Sequence, residues 1–361
     1  MSTLTRRYDI DWLRVIAIGL LLLYHVAIAF QPWGIMIGFI TNDKPWNELW
    51  LPMTMLNVWR IPLLFFVSGM GVYFAMRQRS WKQLLAERST RILVPFLVGI
   101  VAIVPAGTML WQKYNNFPVS YAPNPGHLWF LGNILVYVLL FSPVFYYLKK
   151  NADGSIARSI RLMMSNPLGL LLVILCSVAE VLLTKPFPFE LYVMTWHGFF
   201  LGMVAFFSGF CFVFSGSEFW NMIVKWRWPL LALAITLFTL RLSVFDLRAP
   251  AYFIAIESDF WIFSILAFGH KYLNRSNAAL TYLSQAAYPI YIIHMLVSYV
   301  GSILIFPLDM PVEVKFFSVL IFTFVGCFAV YELSIRRINF VRPLFGVKMK
   351  EYKRDAKIVT V

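Results

Sequence analysis

Asp11, Arg14 and His25 are ionisable residues bracketing a run, Val15 to Tyr24, that is otherwise apolar. At about 100° per residue Arg14 lies roughly 60° from Asp11 and His25 about 20° from Arg14, so all three share one helical face. A positioned imidazole can take a proton from a hydroxyl near neutral pH, and a guanidinium suits anionic oxygens. Ionisable groups inside an apolar run are costly against lipid and face a bundle interior or a wet cavity. A plainer reading makes Asp11 and Arg14 an interfacial ion pair, with Arg14 snorkelling to the headgroups and His25 a hydrogen-bonded packing residue.

Further candidates follow along the chain. Arg60 stands before Ile61-Pro62 near the end of an apolar segment, where it either snorkels outward or lines a cavity. Ser68 lies in the small-residue stretch Ser68-Gly69-Met70-Gly71, which permits close helix approach. Arg88 and Arg91 are three apart at the polar entry to another apolar run, so they share a face. They are either anchors at a membrane boundary or a clamp for phosphates, helped by a helix N-terminus. His127 and Trp129 end a segment rich in proline and asparagine, and Tyr291 and His294 share a face beside Pro289. Glu180, His197, Glu257 and Asp259 have no spacing that dictates chemistry and are candidates to line an outer cavity.

The elements that must hold these residues are helices in a bilayer. The chain has 361 residues, 60% hydrophobic and 13% charged, against roughly 25% charged in soluble domains. Hydropathy predicts an all-α integral membrane protein, a bundle of about ten spans at roughly 10–30, 52–76, 91–111, 128–148, 167–183, 191–214, 229–245, 252–272, 279–305 and 314–334. The connections are short, so residues 1–335 read as a single polytopic domain and 336–361 as a basic tail. Residues 149–166 read as a surface segment with a short amphipathic helix.

The net charge of +14 tracks topology and gives no case for nucleic acid. Of the 31 lysines and arginines, Arg14 and Arg60 lie within spans and Lys44, Lys113, Lys185, Arg241, Arg248 and Lys315 fall on one side. The rest fall on the other, which places both termini in the cytoplasm. Arg6, Arg7 and Arg14 before an apolar run ending Ala27-Ile28-Ala29 have the outline of a cleavable signal. Tyr24-His25 interrupts that run where signals are most hydrophobic, so the segment is expected to be retained. Cys176, Cys211 and Cys327 sit in separate apolar runs with no metal-set spacing and read as buried free thiols. Trp33, Trp46 and Trp50 in the first outer connection either anchor the interface or stack on substrate.

Taken together, the chain resembles the acyltransferase-3 family of bacterial integral membrane O-acyltransferases over nearly its full length. The resemblance rests on Asp11-x-x-Arg14 with His25 eleven residues on, Phe65-Phe66-Val67-Ser68-Gly69, Arg88-x-x-Arg91 with Pro95, His127-Leu128-Trp129-Phe130-Leu131, and Tyr291-x-x-His294. Phe268-Gly269-His270-Lys271 and Tyr331-Glu332 before a basic tail look most like the branch that succinylates periplasmic glucans. That branch often carries a second histidine where Met295 stands here.

The resemblance implies a multi-pass protein of the bacterial inner membrane. It implies transfer of an acyl group, acetyl or succinyl, from cytoplasmic acyl-CoA to a hydroxyl of a carbohydrate or similar acceptor outside. It carries over His25 as the catalytic histidine, Arg14 as its companion, and Arg88 with Arg91 as donor-side arginines. Arg60, Ser68, His127, Trp129, Tyr291 and His294 are then expected at the substrates. No permanently bound cofactor and no metal is expected, acyl-CoA being a substrate, and homo-oligomers stay open. A helix places His25 about 16 Å from Arg14, near the middle of a core about 30 Å thick, where donor and acceptor from opposite sides could meet. A proton-coupled transporter would also use buried histidine, arginine and glutamate, but no paired broken helices in two inverted halves support it. A scaffold would need partner-binding domains for which the connections leave no room.

Overall fold

The computed structural model describes residues 7–350. The expected tail therefore continues at 351–361 outside the described residues, as does Arg6 at the start. Among the described residues the regular structure is entirely helical. The helices are α1 (Tyr8–Ile28), α2 (Trp50–Arg77), α3 (Trp81–Tyr114), α4 (Trp129–Lys150), α5 (Ser155–Met164), α6 (Pro167–Thr184), α7 (Trp196–Phe214), α8 (Ser217–Lys225), α9 (Arg227–Ser243), α10 (Ala251–Tyr272), α11 (Ala278–Ile305), α12 (Val312–Ile335) and the short α13 (Val341–Leu344). Among the described residues nine segments are long and apolar enough to cross a membrane, and α8 with α9, bent by 58°, would make a tenth if the pair is one broken span. The chain is a multi-span membrane bundle, as its hydropathy requires.

Two boundaries differ from the hydropathic reading. The sixth span starts at Trp196 rather than near 191, because Thr195 caps it, its hydroxyl accepting from the Gly198 N–H at 3.0 Å. The third begins at Trp81, behind a capping box in which Ser80 and Gln83 satisfy each other's backbone. Arg88 and Arg91 thus lie well inside a continuous helix. The N-terminal partial charge expected to assist them is at Ser80, about two turns from Arg88 and three from Arg91.

Helix α1 sits against α2, α10, α11 and α12. The closest pair is α2 with α7, where small residues let the backbones touch: a Cβ on Gly69 would meet the Phe206 carbonyl oxygen at 1.9 Å, and one on Gly209 the Phe66 oxygen at 2.1 Å. Pro62 lies inside α2 and has no N–H to give the Val58 carbonyl one turn back. That carbonyl accepts instead from the Tyr192 hydroxyl at 3.1 Å and from Ser258 Oγ at 2.8 Å, which ties α2 to the 185–195 connection and to α10.

The connections sort into two ends. At one, Lys149 Nζ donates to the Met76 carbonyl at 2.7 Å, the Tyr8 N–H donates to Asn274 Oδ1 at 3.1 Å, and Arg161 lies over the Phe214 ring. Chain after α12 folds back here, with Gly346 against Tyr288 and the Arg91 carbonyl. Helix α5 supplies the short segment expected at 149–166. At the other end, the Tyr299 hydroxyl donates to the Gly38 carbonyl at 2.6 Å and Lys315 Nζ to that of Phe306 at 2.6 Å. Basic residues gather at the first end, and both ends of the described chain lie there. Cys211 and Cys327 are buried free thiols as expected, whereas Cys176 faces outward from α6.

Candidate active site

A cavity of about 1180 Å³ opens among the connections of the second end and reaches into the bundle. Helix α1 contributes Leu21, Tyr24, His25 and Ile28, spaced as one helical face. Helix α2 contributes Thr54, Asn57, Arg60, Ile61 and Leu64, again one face. His127, Trp129 and Phe130 close another wall, Tyr291, Met295 and Tyr299 of α11 a third, and Glu190 projects from the 185–195 connection. Residues from several stretches far apart in the chain thus share one cavity with His25.

Hydrogen bonds fix the protonation pattern of the histidines. His294 is fully buried and its Nδ1 lies 2.7 Å from the Tyr291 carbonyl oxygen. A carbonyl only accepts, so Nδ1 carries the proton and, in neutral His294, Nε2 is a lone pair. His25 Nδ1 lies 2.7 Å from that Nε2 and is therefore the donor. The remaining nitrogen of His25, Nε2, is left unprotonated on a residue that lines the cavity. His127 packs edge-on to His294 with ring centroids 5.0 Å apart, and its Nε2 donates to the Ile292 carbonyl at 3.1 Å. The Tyr291 hydroxyl donates to the His127 carbonyl at 2.6 Å, locking the 126–128 turn onto α11.

The other sequence candidates divide between the two ends. Arg60 reaches the cavity wall, its guanidinium 3.8 Å from the Tyr24 ring centroid and Nη2 3.2 Å from Asn57 Oδ1. Trp33 and Trp50 line the cavity, whereas Trp46 packs on Phe316 with centroids 5.2 Å apart. Ser68 donates its hydroxyl to the Leu64 carbonyl at 2.7 Å and stands outside the wall. Arg14, Arg88 and Arg91 lie at the basic end, where Arg88 is flanked by the charges of Arg14, Arg91 and Arg79, with Glu87 opposing them. Glu87 bridges Arg79 at 2.9 Å and Arg91 at 3.2 Å, while the buried Arg88 Nε has no partner. Arg14 pairs with Asp11 at 3.5 Å and runs beside Gly71, where a Cβ would come within 3.2 Å of its Nη2.

The four acidic and histidine residues left open by spacing are mostly paired. His197 Nδ1 lies 3.0 Å from Glu180, and Glu257 takes two bonds from Arg241, at 2.6 and 3.0 Å. His197 borders a smaller, 570 Å³ pocket next to the main cavity, and none of the four lines the main one. Sequence reading missed Tyr24, Asn57 and Glu190 as wall residues. For Tyr24 and Asn57 a signal existed, because Tyr24 adjoins His25 and Asn57 lies one turn before Arg60. Glu190 had none, since it sits in a connection with no helical register to place it.

The geometry combines a cavity-facing imidazole whose base nitrogen is set by a second imidazole with, about 16 Å along α1, an arginine cluster in which Arg88 Nε has no partner among the described residues. In comparisons with known proteins, the acyltransferase-domain family model Acyl_transf_3 matches residues 7–332, a range that takes in both sites. No curated protein and no solved structure matches the chain.

Proposed function

From a chain that belongs to the acyltransferase-3 family of membrane O-acyltransferases, we propose a specific reaction: transfer of an acetyl or succinyl group from cytoplasmic acyl-CoA to a hydroxyl of a carbohydrate or related acceptor entering from the outer side. The observation that carries this reading is the His25 to His294 hydrogen bond at 2.7 Å, which leaves a base nitrogen on the wall of a cavity large enough for a sugar-sized acceptor. His25 Nε2 takes the acceptor's hydroxyl proton as the oxygen attacks the thioester carbonyl. Collapse of the tetrahedral intermediate breaks the carbon–sulfur bond, and the departing thiolate takes the proton back from His25 as free coenzyme A. While His25 carries that proton, its positive charge is shared with His294 through their hydrogen bond.

The donor's phosphates would meet Arg14, Arg88 and Arg91, with the pantetheine arm covering the distance to His25. The unpartnered Arg88 Nε, with the charges of Arg91 and Arg79 beside it, supports that assignment. Basic connections at that end support a cytoplasmic location for it, in the inner membrane of a bacterium. Met295 stands on the cavity wall where the glucan-modifying branch often has histidine, so the succinyl-glucan assignment rests on the other motifs alone. The test is direct: purified protein is incubated with labelled acetyl-CoA and succinyl-CoA and a panel of oligosaccharides. Label on an acceptor in the wild type and not in His25→Ala supports the reading, and no transfer from either donor to any acceptor overturns it.

A further inference from the structure

Arg60 is a permanent cation that is 2% exposed, in the wall of the cavity that holds His25. Its Nε and Nη1 are buried and make no hydrogen bond, although Nη2 is held by Asn57. The ion pairs among the described residues use Arg7, Arg14, Arg79, Arg91, Arg241 and Arg336, and none reaches Arg60. Arg241, the other fully buried arginine, shows the ordinary solution, a two-bond pair with Glu257. A buried charge with neither counter-ion nor a full set of acceptors is strongly unfavourable, so an anionic oxygen is the missing partner.

The place of Arg60 says when that oxygen arrives. Its guanidinium carbon lies over the ring of Tyr24, 3.8 Å from the centroid, next in the chain to His25, and both Tyr24 and His25 line the same cavity. Stacking and the Asn57 bond hold the group in one orientation before any substrate enters, which is the condition for stabilising a charge that exists only during reaction. Within the acyl-transfer reading above, on which this inference rests, one negative charge must develop: the thioester carbonyl oxygen becomes an oxyanion when the hydroxyl adds. We infer that Arg60 is a catalytic residue whose free N–H groups bind that oxyanion, across the reacting carbon from His25. The electron pair of the carbonyl π bond goes to the oxygen facing Arg60 and returns when the carbon–sulfur bond breaks, so the guanidinium gives up no proton and keeps its charge.

The competing source of an anionic oxygen is a fixed carboxylate on the acyl chain, as in succinyl-CoA. The test compares Arg60→Ala and Arg60→Lys with wild type using both acetyl-CoA and succinyl-CoA, measuring donor affinity by calorimetry with non-hydrolysable analogues and kcat by acyl transfer. The expected result is a fall in kcat of about 10²–10³-fold in Arg60→Ala, equal for the two donors, with donor affinity unchanged. Arg60→Lys, which keeps the charge and guards against a folding defect in the alanine variant, should recover part of the rate. Loss confined to succinyl-CoA, or loss of its binding alone, would assign Arg60 to the acyl chain's carboxylate and overturn the inference. So would wild-type kcat in both variants. Inactivity of the wild type towards every donor would instead strike the acyl-transfer reading.

Discussion

His25 and His294, 269 residues apart in the chain, meet at 2.7 Å with their rings tilted only 12° to each other. Replacing His25 by alanine should slow transfer by roughly 10²–10⁴-fold and leave donor affinity nearly intact, since the base acts on the acceptor. Replacing His294 by phenylalanine keeps the ring and removes the nitrogen that receives the His25 proton. His25 is then free to adopt the other tautomer, and a loss of about 10²-fold is expected, again in kcat. Wild-type rates in His25→Ala would remove the base; a wild-type rate in His294→Phe would show that the tautomer is set elsewhere.

The two conspicuous arginines of α3 should not be equivalent. Arg91 already shares Glu87 with Arg79, whereas Arg88 Nε has no acceptor. Arg88→Ala is expected to weaken acyl-CoA binding by about 1.5–3 kcal/mol, and Arg91→Ala by less than 1 kcal/mol, the order of a partly exposed, already paired charge. Calorimetry with a non-hydrolysable analogue decides it, and equal losses would mean that Glu87 moves away when donor binds.

Glu190 supplies a pH test outside the spanning helices. Burial holds its carboxyl above the usual carboxylate range, with Arg241 and His197 pulling the other way. A carboxyl raised in the folded state binds its proton more tightly folded than unfolded. Its contribution is complete below the unfolded value of about 4.3 and is lost as pH rises through the folded one. Glu190→Gln should therefore raise the thermal midpoint at pH 8, by about 2 °C for an effect under 1 kcal/mol, with no gain at pH 4. A gain that is the same at both pH values would mean that the effect is steric.

Topology is open to cysteine labelling. Cysteines placed at Lys149 and at Asn124, on opposite ends of the bundle, should react with an impermeant reagent from opposite sides of the membrane, Lys149 from the cytoplasm. Labelling of both from one side would break the ten-span count, and reversed sidedness would invert the assignment of donor and acceptor.

Much of this architecture was legible because a bilayer imposes a simple rule. Apolar runs long enough to cross it must be helices, and the observed α1, α2, α10 and α11 match the expected spans within about two residues. Arg14, Arg60 and His25 were legible as exceptions to apolarity. The pairing of His25 with His294 was not, because nothing local encodes which distant helix face will meet α1. The start of α7 was missed for a related reason: Leu191 to Met194 is apolar enough to extend a span, but the Thr195 cap decides where the helix begins. The fates of Glu180 and Glu257 likewise depended on partners in neighbouring helices, invisible to spacing within one.

The Val58 carbonyl, released by Pro62, also bears on how this chain can vary. Its acceptor capacity is divided between Tyr192 and Ser258, and any ordinary residue at position 62 would claim a share of it from within the helix. Positions 62, 192 and 258 therefore form one heritable unit spread over two helices and a connection. Lineages that lose the proline are expected to lose at least one of the two hydroxyls as well, so an alignment of relatives should show the three positions drifting together.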